Sequence, residues 1–291
     1  MKTTLSGSKM SMAGLVVTSA KGSPRIAIGF FGLARSLTWT LPSIQQHVLE
    51  PAEQLGETRL FAHLYQQTHI SNPRSGENNV LDPDEYKRLN CDEVLLEAPG
   101  ECLKDADYEW ILSQGDAFDD GGKSLSNLIH QLHSLDRLGD MIERWSPDIV
   151  VLIRPDLQYH DSLGPLIKKH IHLSPEAISV PDWQWYGGVN DRFAICGSEA
   201  YKAYAHRIRL IPSYLKKTGG PLPAERFLRF CLNQHGLCPE AVHVRASRIR
   251  ANGQKVDENF QVISKSKLIR RALESRVYRI KHYFSGRPET N

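Results

Sequence analysis

Residues 148–156 read DIVVLIRPD, an uninterrupted apolar run that follows Pro147 and closes on Arg154-Pro155-Asp156. A run of this kind, β-branched and without polar alternation, predicts a strand buried on both faces, the environment of a parallel sheet. Upstream, Ser126–Trp145 predicts a helix: Leu128, Leu132, Leu135, Leu138 and Ile142 recur at three and four residues and give it one apolar face. Further upstream, RIAIGFF at Arg25–Phe31 repeats the buried-strand pattern, and RLFAHLY at Arg59–Tyr65 and EVLLE at Glu93–Glu97 predict two more strands. Leu41, Ile44, Val48 and Leu49 mark a helix with Pro42 near its start, where proline is tolerated. Residues 66–90 are polar and turn-rich and predict a long functional loop. Downstream, strands over Ala177–Val180, Arg192–Cys196 and Ala241–Arg250 alternate with helices over Ser198–Arg209, capped by Ser198, and Ala224–Gln234, stopped by Gly236. The alternation predicts an α/β fold with a mostly parallel central sheet flanked by helices. Such sheets bind ligands at the carboxyl ends of their strands. Gly32–Ser36 and Arg154–Asp156 both fall there.

The 291 residues, 41% hydrophobic and 24% charged, suffice for one large domain of this class or two small ones. No apolar stretch approaches the ~18 residues of a membrane-spanning helix. Residues 1–24, rich in Ser, Thr, Lys and Gly, predict a disordered leader. Cys91, Cys102, Cys196, Cys231 and Cys238 form no CxxC pair. That points away from a zinc knuckle or disulfide framework and toward a reducing compartment. The net charge of +3 is a property of the tail: residues 265–291 hold eight basic and two acidic side chains, which leaves 28 basic against 31 acidic elsewhere. A basic tail on a slightly acidic body argues against a nucleic-acid partner. In that tail Ile269, Leu273, Val277, Ile280 and Phe284 form one apolar stripe with basic flanks. The pattern suits an amphipathic helix on an anionic membrane surface, and equally a terminal helix docked on its own domain.

Five places offer chemistry. Phe30–Ser36 (FFGLARS) takes a strand through a Gly turn into a helix, presenting amides, a positive dipole end and the Arg35 fork to a phosphate or carboxylate. It also reads as a plain turn with a solvated Arg; it is neither a Walker A loop nor GxGxxG. Asp156 can hold a divalent cation, with Asp161 assisting, or serve as a cap paired with Arg154. Gly187-Gly188-Val189-Asn190-Asp191-Arg192 lets backbone approach a ligand, with Trp183, Trp185 and Tyr186 as a platform for a sugar ring, or forms a turn with aromatic packing. Glu225 sits at a helix start, as an acid favouring that end or as a base for an acceptor hydroxyl. Arg245, Arg248 and Arg250 suit a diphosphate or surface charge. The histidines His130, His133, His170 and His172 follow no HExxH pattern, and no GxSxG elbow is present.

Taken in order, these motifs resemble a largely uncharacterised glycosyltransferase-like family, of GT-A type, found in plants and microbes. The resemblance runs from Arg25 to Gly253. It rests on FFGLARSLTWTLPSI with its FFG-x-x-RS core, and on SNLIHQLHSLDRL with Asn127, His133 and Ser134. It continues in IRPDLQY, in VNDRFAICGSEA with Asn190, Asp191, Arg192 and Gly197, in AERFL with Glu225, and in RIRANG with Arg248 and Arg250. The chain departs from the family at Pro223-Ala224, where His-Ser is frequent, and at Pro155, where plant members often carry Ser.

The resemblance implies a GT-A-like, nucleotide-sugar-binding catalytic domain over 25–260, followed by a basic amphipathic tail over 261–291. It implies nucleotide contacts from Gly32, Arg35, Ser36, Asn127, Arg154, Arg248 and Arg250. Trp185, Tyr186, Asn190 and Arg192 would bind the acceptor, and Asp191 and Glu225 would be catalytic. Asp156 would ligate Mn²⁺ or Mg²⁺. The expected partners are a nucleotide-sugar donor and a glycan or lipid-linked acceptor, at a cytoplasmic location peripheral to the inner face of the membrane. Two rival readings go with it. GLARSLTW resembles the Gly-x-x-Arg-Ser loop of sulfotransferases, with Leu37 where Gly is usual, which implies a phosphosulfate donor. A non-catalytic carbohydrate-binding protein on a degenerate transferase fold would use Trp183, Trp185 and Tyr186.

Overall fold

The computed structural model describes residues 22–72, 76–264 and 266. The expected tail helix through Ile269 and Phe284 lies outside them, as does the expected leader apart from residues 22–24. The strands, in chain order, are β1 (Arg25–Gly32), β2 (Glu57–Tyr65), β3 (His69–Asn72), β4 (Glu77–Val80), β5 (Glu93–Glu97), β6 (Ile149–Ile153), β7 (Leu157–Tyr159), β8 (Ile178–Pro181), β9 (Phe193–Gly197), β10 (Glu240–Val242) and β11 (Ala246–Arg248). Seven of them form one sheet in the order β10-β8-β9-β6-β1-β2-β5. Every pairing in it is parallel except those of β9 with β6 and β8. The class read from DIVVLI, a mostly parallel sheet flanked by helices, is the one observed.

The apolar runs explain the layers. Side chains alternate across a strand, so β1 sends Ala27 and Phe31 into one core and Ile26, Ile28 and Phe30 into another. The first core is closed by the helix Lys123–Glu143 through Leu135, Leu138, Met141 and Ile142. The second is closed by the helix Leu37–Ile44 and the wider-turn segment Gln45–Leu49, through Leu37, Ile44, Val48 and Leu49. All five residues of β6 are buried, each Ile, Val or Leu contributing roughly 1.5–3 kcal/mol. Gly29 lets the long helix lie close, since a Cβ there would meet Leu138 Cδ2 at 2.8 Å.

Some expected elements differ. The late strand Ala241–Arg250 is two, β10 in the large sheet and β11 paired with β7. Asp182 N donates to Val242 O as the last bond of the β8–β10 ladder, and beyond it Val244 O accepts from Trp183 Nε1 and no longer from a strand. The loop 66–90 contains the β3–β4 hairpin and the single turn Glu85–Leu89. Ser198 does not cap the next helix, which covers Ala200–Ala205, has Glu199 at its N-cap and tightens to a 3₁₀ turn over His206–Leu210. Among the described residues no helix is long and apolar enough to cross a membrane.

Candidate active site

Chain order on the sheet reverses at β1: β2 and β5 extend to one side, while β6 returns to the other. Such switch points open a crevice beyond the strand ends. A cleft of about 1070 Å³ lies there, with Gly32 from the end of β1 and Arg154-Pro155-Asp156 from the end of β6 in its wall. Six arginines and Lys123 line it, against the carboxylates of Asp156, Asp191 and Glu225.

Asp156 organises the floor. It is 2% exposed. Its Oδ2 accepts from Arg35 Nη2 at 2.7 Å and Arg154 Nη2 at 2.9 Å, and its Oδ1 from Arg154 Nε at 3.0 Å. Burial would raise its pKa; Arg154 and Arg35 outweigh that and hold it far below the usual carboxylate range. A divalent cation does not fit this carboxylate. Both oxygens are already shared by guanidinium donors, a cation would enter among positive charges, and among the described residues Asp156 belongs to no group of three potential metal ligands. Asp161, expected to assist, is bound by Arg245 instead, at 2.9 and 2.8 Å through Nε and Nη2. Around Asp156, where the metal is expected, this structure has the guanidiniums of Arg35 and Arg154.

Two further carboxylates stand behind the arginines. Glu77 on β4 accepts from Arg35 Nη1 at 3.3 Å and Arg250 Nη1 at 2.8 Å. Glu258 lies 3.5 Å from Arg192 Nη2 and 3.7 Å from Arg248 Nη2. Compensation is incomplete: Arg35 Nε and Arg248 Nε are buried without a hydrogen-bond partner. Burial, then Arg192 and Arg154, pull the Arg248 guanidinium down to about 9. A guanidinium so crowded favours an added anion.

The opposite wall carries the carboxyl groups of Glu225 and Asp191. Glu225 starts the helix Ala224–Gln234. Burial, then the Asp191 carboxylate, push it up to about 7. Asp191 Oδ2 accepts from Gln131 Nε2 at 2.7 Å, and Gln131 Oε1 accepts from Arg154 Nη1 at 3.2 Å, so one amide ties acid to arginine floor. Gln131 sits one helical turn after Asn127, and both line the cleft.

The Gly187-Gly188 loop sets this wall, though not by approaching a ligand. A Cβ on Gly188 would lie 1.9 Å from the carbonyl carbon and oxygen of Glu225. Val189 N also donates to Glu225 O at 2.9 Å. The glycine thus seats the loop on the helix that bears Glu225. The expected aromatic platform is not built. Trp183 and Trp185 are buried and donate their indole N–H to the carbonyls of Val244 and Pro181. Asn190 is buried as well: it donates to Trp183 O and accepts from Arg192 N, clipping the turn instead of facing an acceptor. Tyr186 alone of these aromatics faces the cleft, 65% exposed at φ +38°, a backbone conformation that non-glycine residues hold at a cost.

The Gly32–Ser36 loop also differs from expectation. Gly32, at φ +101°, and Arg35 line the cleft. Ser36 is fully buried with its Oγ unpartnered, and makes no side-chain cap. The helix start it precedes is occupied by Glu85, whose Oε1 accepts from Thr38 N at 3.3 Å. A protein carboxylate accepts at the helix start foreseen for phosphate, so this geometry lends the phosphosulfate reading no support. Glu77, Glu85, Gln131 and Glu258 were not legible as site residues; only the one-turn spacing of Asn127 and Gln131 carried a signal.

No protein-family model and no curated protein matches the chain. Among solved structures it is similar to mouse xyloside xylosyltransferase 1 in its apo form, at 11% identity over 75% of this chain and 84% of that one, with a TM-score of 0.39. It is similar also to the galactosyltransferase LgtC in complex with donor and acceptor sugar analogs, at 13% identity over 74% of this chain and 72% of that one, with a TM-score of 0.42.

Proposed function

We propose that the chain is a GT-A-like glycosyltransferase that moves a sugar from a nucleoside diphosphate to the hydroxyl of a glycan or lipid-linked acceptor. The observation that carries this reading is the pairing of an under-compensated arginine floor with a carboxyl poised near neutrality, in one cleft at the sheet's switch point. A diphosphate adds negative charge where Arg35 Nε and Arg248 Nε have no acceptor, with Arg250 beside them. Asn127 and Gly32 border the same space. Glu225 takes the proton of the acceptor hydroxyl as that oxygen bonds to the anomeric carbon, and the bond from that carbon to the diphosphate oxygen breaks. Charge developing on the departing diphosphate is met by guanidiniums already fixed in place, which need little reorganisation. A carboxyl near 7 is matched to this task, since it is half ionised at working pH and still basic enough to accept the proton. Burial, then Asp191, hold Glu225 in that range, and Tyr186 offers an exposed ring against which a sugar can stack.

The test is release of nucleoside diphosphate from a panel of nucleotide sugars, with simple glycosides as acceptors. Turnover by the native protein with one donor, reduced ~10²-fold or more in Glu225→Gln with KM for the donor little changed, is expected. Turnover that survives Glu225→Gln intact removes that residue as base.

A further inference from the structure

A second cluster lies outside the arginine floor. His63 on β2, Glu97 at the end of β5 and His133 on the long helix bring one ligand atom each to within 4.8 Å of one another. His133 Nε2 is 2.8 Å from Glu97 Oε2, and His63 Nε2 is 3.4 Å from Glu97 Oε1. None of the three has a role in the transfer chemistry above.

The hydrogen bonds around Ser134 fix the state of His63. Ser134 Oγ lies 2.8 Å from Gly32 N, 2.8 Å from His63 O and 2.9 Å from His63 Nδ1. Gly32 N can only donate and His63 O can only accept. The single hydroxyl proton therefore goes to His63 O, and Nδ1 must carry its own proton to donate to Oγ. In the neutral ring this leaves Nε2 as a bare lone pair. That atom is buried without a hydrogen-bond partner, and its neighbour is a carboxylate. A lone pair facing a carboxylate is repulsive unless a cation lies between them. A second proton is one answer, but it would place a charge on a ring that is fully buried.

We infer that His63 Nε2, His133 Nε2 and a Glu97 oxygen form a binding site for a divalent metal ion of the zinc class. Two imidazoles and one carboxylate are a common donor set for zinc, while magnesium and calcium favour oxygen-only shells. Donors about 2.0–2.2 Å from a tetrahedral ion stand about 3.3 Å apart; His63 Nε2 is 3.4 Å from Glu97 Oε1, His133 Nε2 is 2.8 Å from Oε2, and a small rotation of the carboxylate suffices to present one oxygen to both. The outer shell is also in place. A metal-bound histidine usually donates its other ring N–H to a fixed acceptor, as His63 Nδ1 does to Ser134. Glu97 and His133 are partly exposed, which leaves a route from solvent. Arg137, which donates to Glu97 Oε1 at 3.1 Å, is on a half-exposed side chain that can yield that oxygen.

The ion would tie β2, β5 and the long helix together. Through Ser134 it would also steady Gly32, the residue that ends β1 in the cleft wall. Among the described residues a second cluster of potential ligands, Asp140, Glu143 and His206, lacks these signs. His206 donates or accepts at Asp136, Arg209 binds Asp136 and Asp140, and Lys202 lies near Glu143.

The inference is independent of sugar transfer, and its test reads metal alone. The full chain, stripped with chelator and returned to pH 7.5, is titrated with Zn²⁺ by calorimetry and scanned for thermal unfolding. Co²⁺ serves as the spectroscopic probe. One equivalent of Zn²⁺ per chain, a rise in Tm of about 5 °C at a hundredfold excess over Kd, and the intense visible bands of four-coordinate Co²⁺ are expected. All three should be lost in His133→Ala and in Glu97→Gln, both at partly exposed positions, and kept in Asp140→Asn. No stoichiometric binding, or binding that persists in both variants, would overturn the assignment. If the variants unfold in circular dichroism, Co²⁺ spectra of the native chain decide alone: octahedral weak bands overturn it.

Discussion

Replacing Glu225 by Gln should make the protein more stable above neutral pH while stopping its chemistry. Burial and Asp191 raise this carboxyl from its ordinary 4.5 to about 7. The folded state therefore keeps a proton that the unfolded chain has released across that interval. A raised carboxyl costs stability progressively from pH 4.5, and the cost levels off above 7. At ~1.4 kcal/mol per pH unit the full interval amounts to ~3 kcal/mol. The side chain is partly open to the cleft, and solvent screening lowers this to ~1–2 kcal/mol. Gln keeps the shape and never ionises. Urea unfolding of native and variant protein should give equal stabilities near pH 4, a widening advantage for Glu225→Gln between pH 4.5 and 7, and a plateau of ~1–2 kcal/mol by pH 8. A variant that is less stable at pH 8, or whose difference from native does not change with pH, refutes the placement of a raised carboxyl at this helix start. The acid limb of turnover should fall near the same pH and vanish with the carboxylate.

Three further outcomes follow from the same geometry. Gly188→Ala should lose about 3 kcal/mol or more in chemical denaturation, because its Cβ would sit 1.9 Å from Glu225 backbone atoms that belong to a packed helix. Asp156→Asn should lose ~3–5 kcal/mol by the same measurement, since it leaves Arg35 and Arg154 buried beside each other without their shared anion. Arg248→Gln should unfold no more easily than native in a thermal scan, because this guanidinium is held against burial, Arg192 and Arg154.

The elements that position the cleft were legible because each is a continuous apolar run or a clean helical stripe. DIVVLI and RIAIGFF had few other homes than a doubly covered sheet, and EVLLE and Ala224–Gln234 fell within the observed bounds. The residues that balance charge in the cleft were not legible. Glu77 lies in a hairpin within a turn-rich stretch, and Glu258 follows the last strand; only the fold brings them to Arg35, Arg192, Arg248 and Arg250. The phosphate expected at the helix after Ser36 was displaced by Glu85, 49 residues on in the chain, which no local pattern foretells. Tandem glycines do signal a close approach, but not to what: at Gly188 the neighbour is the chain's own helix. Three aromatics in four residues read alike, and the positive φ at Tyr186 sends that one outward while both tryptophans turn into the core.

The most direct test of the central claim, an arginine floor built for a nucleoside diphosphate, is thermal unfolding with nucleoside diphosphates, nucleotide sugars and adenosine 3′,5′-bisphosphate, each with and without Mn²⁺. A ligand that binds only the folded state raises its melting point. We expect one nucleoside diphosphate to raise Tm equally with and without Mn²⁺, and that rise to disappear in Arg248→Gln. No rise with any nucleoside diphosphate, a rise that requires Mn²⁺, or a rise with the bisphosphate alone would contradict the account.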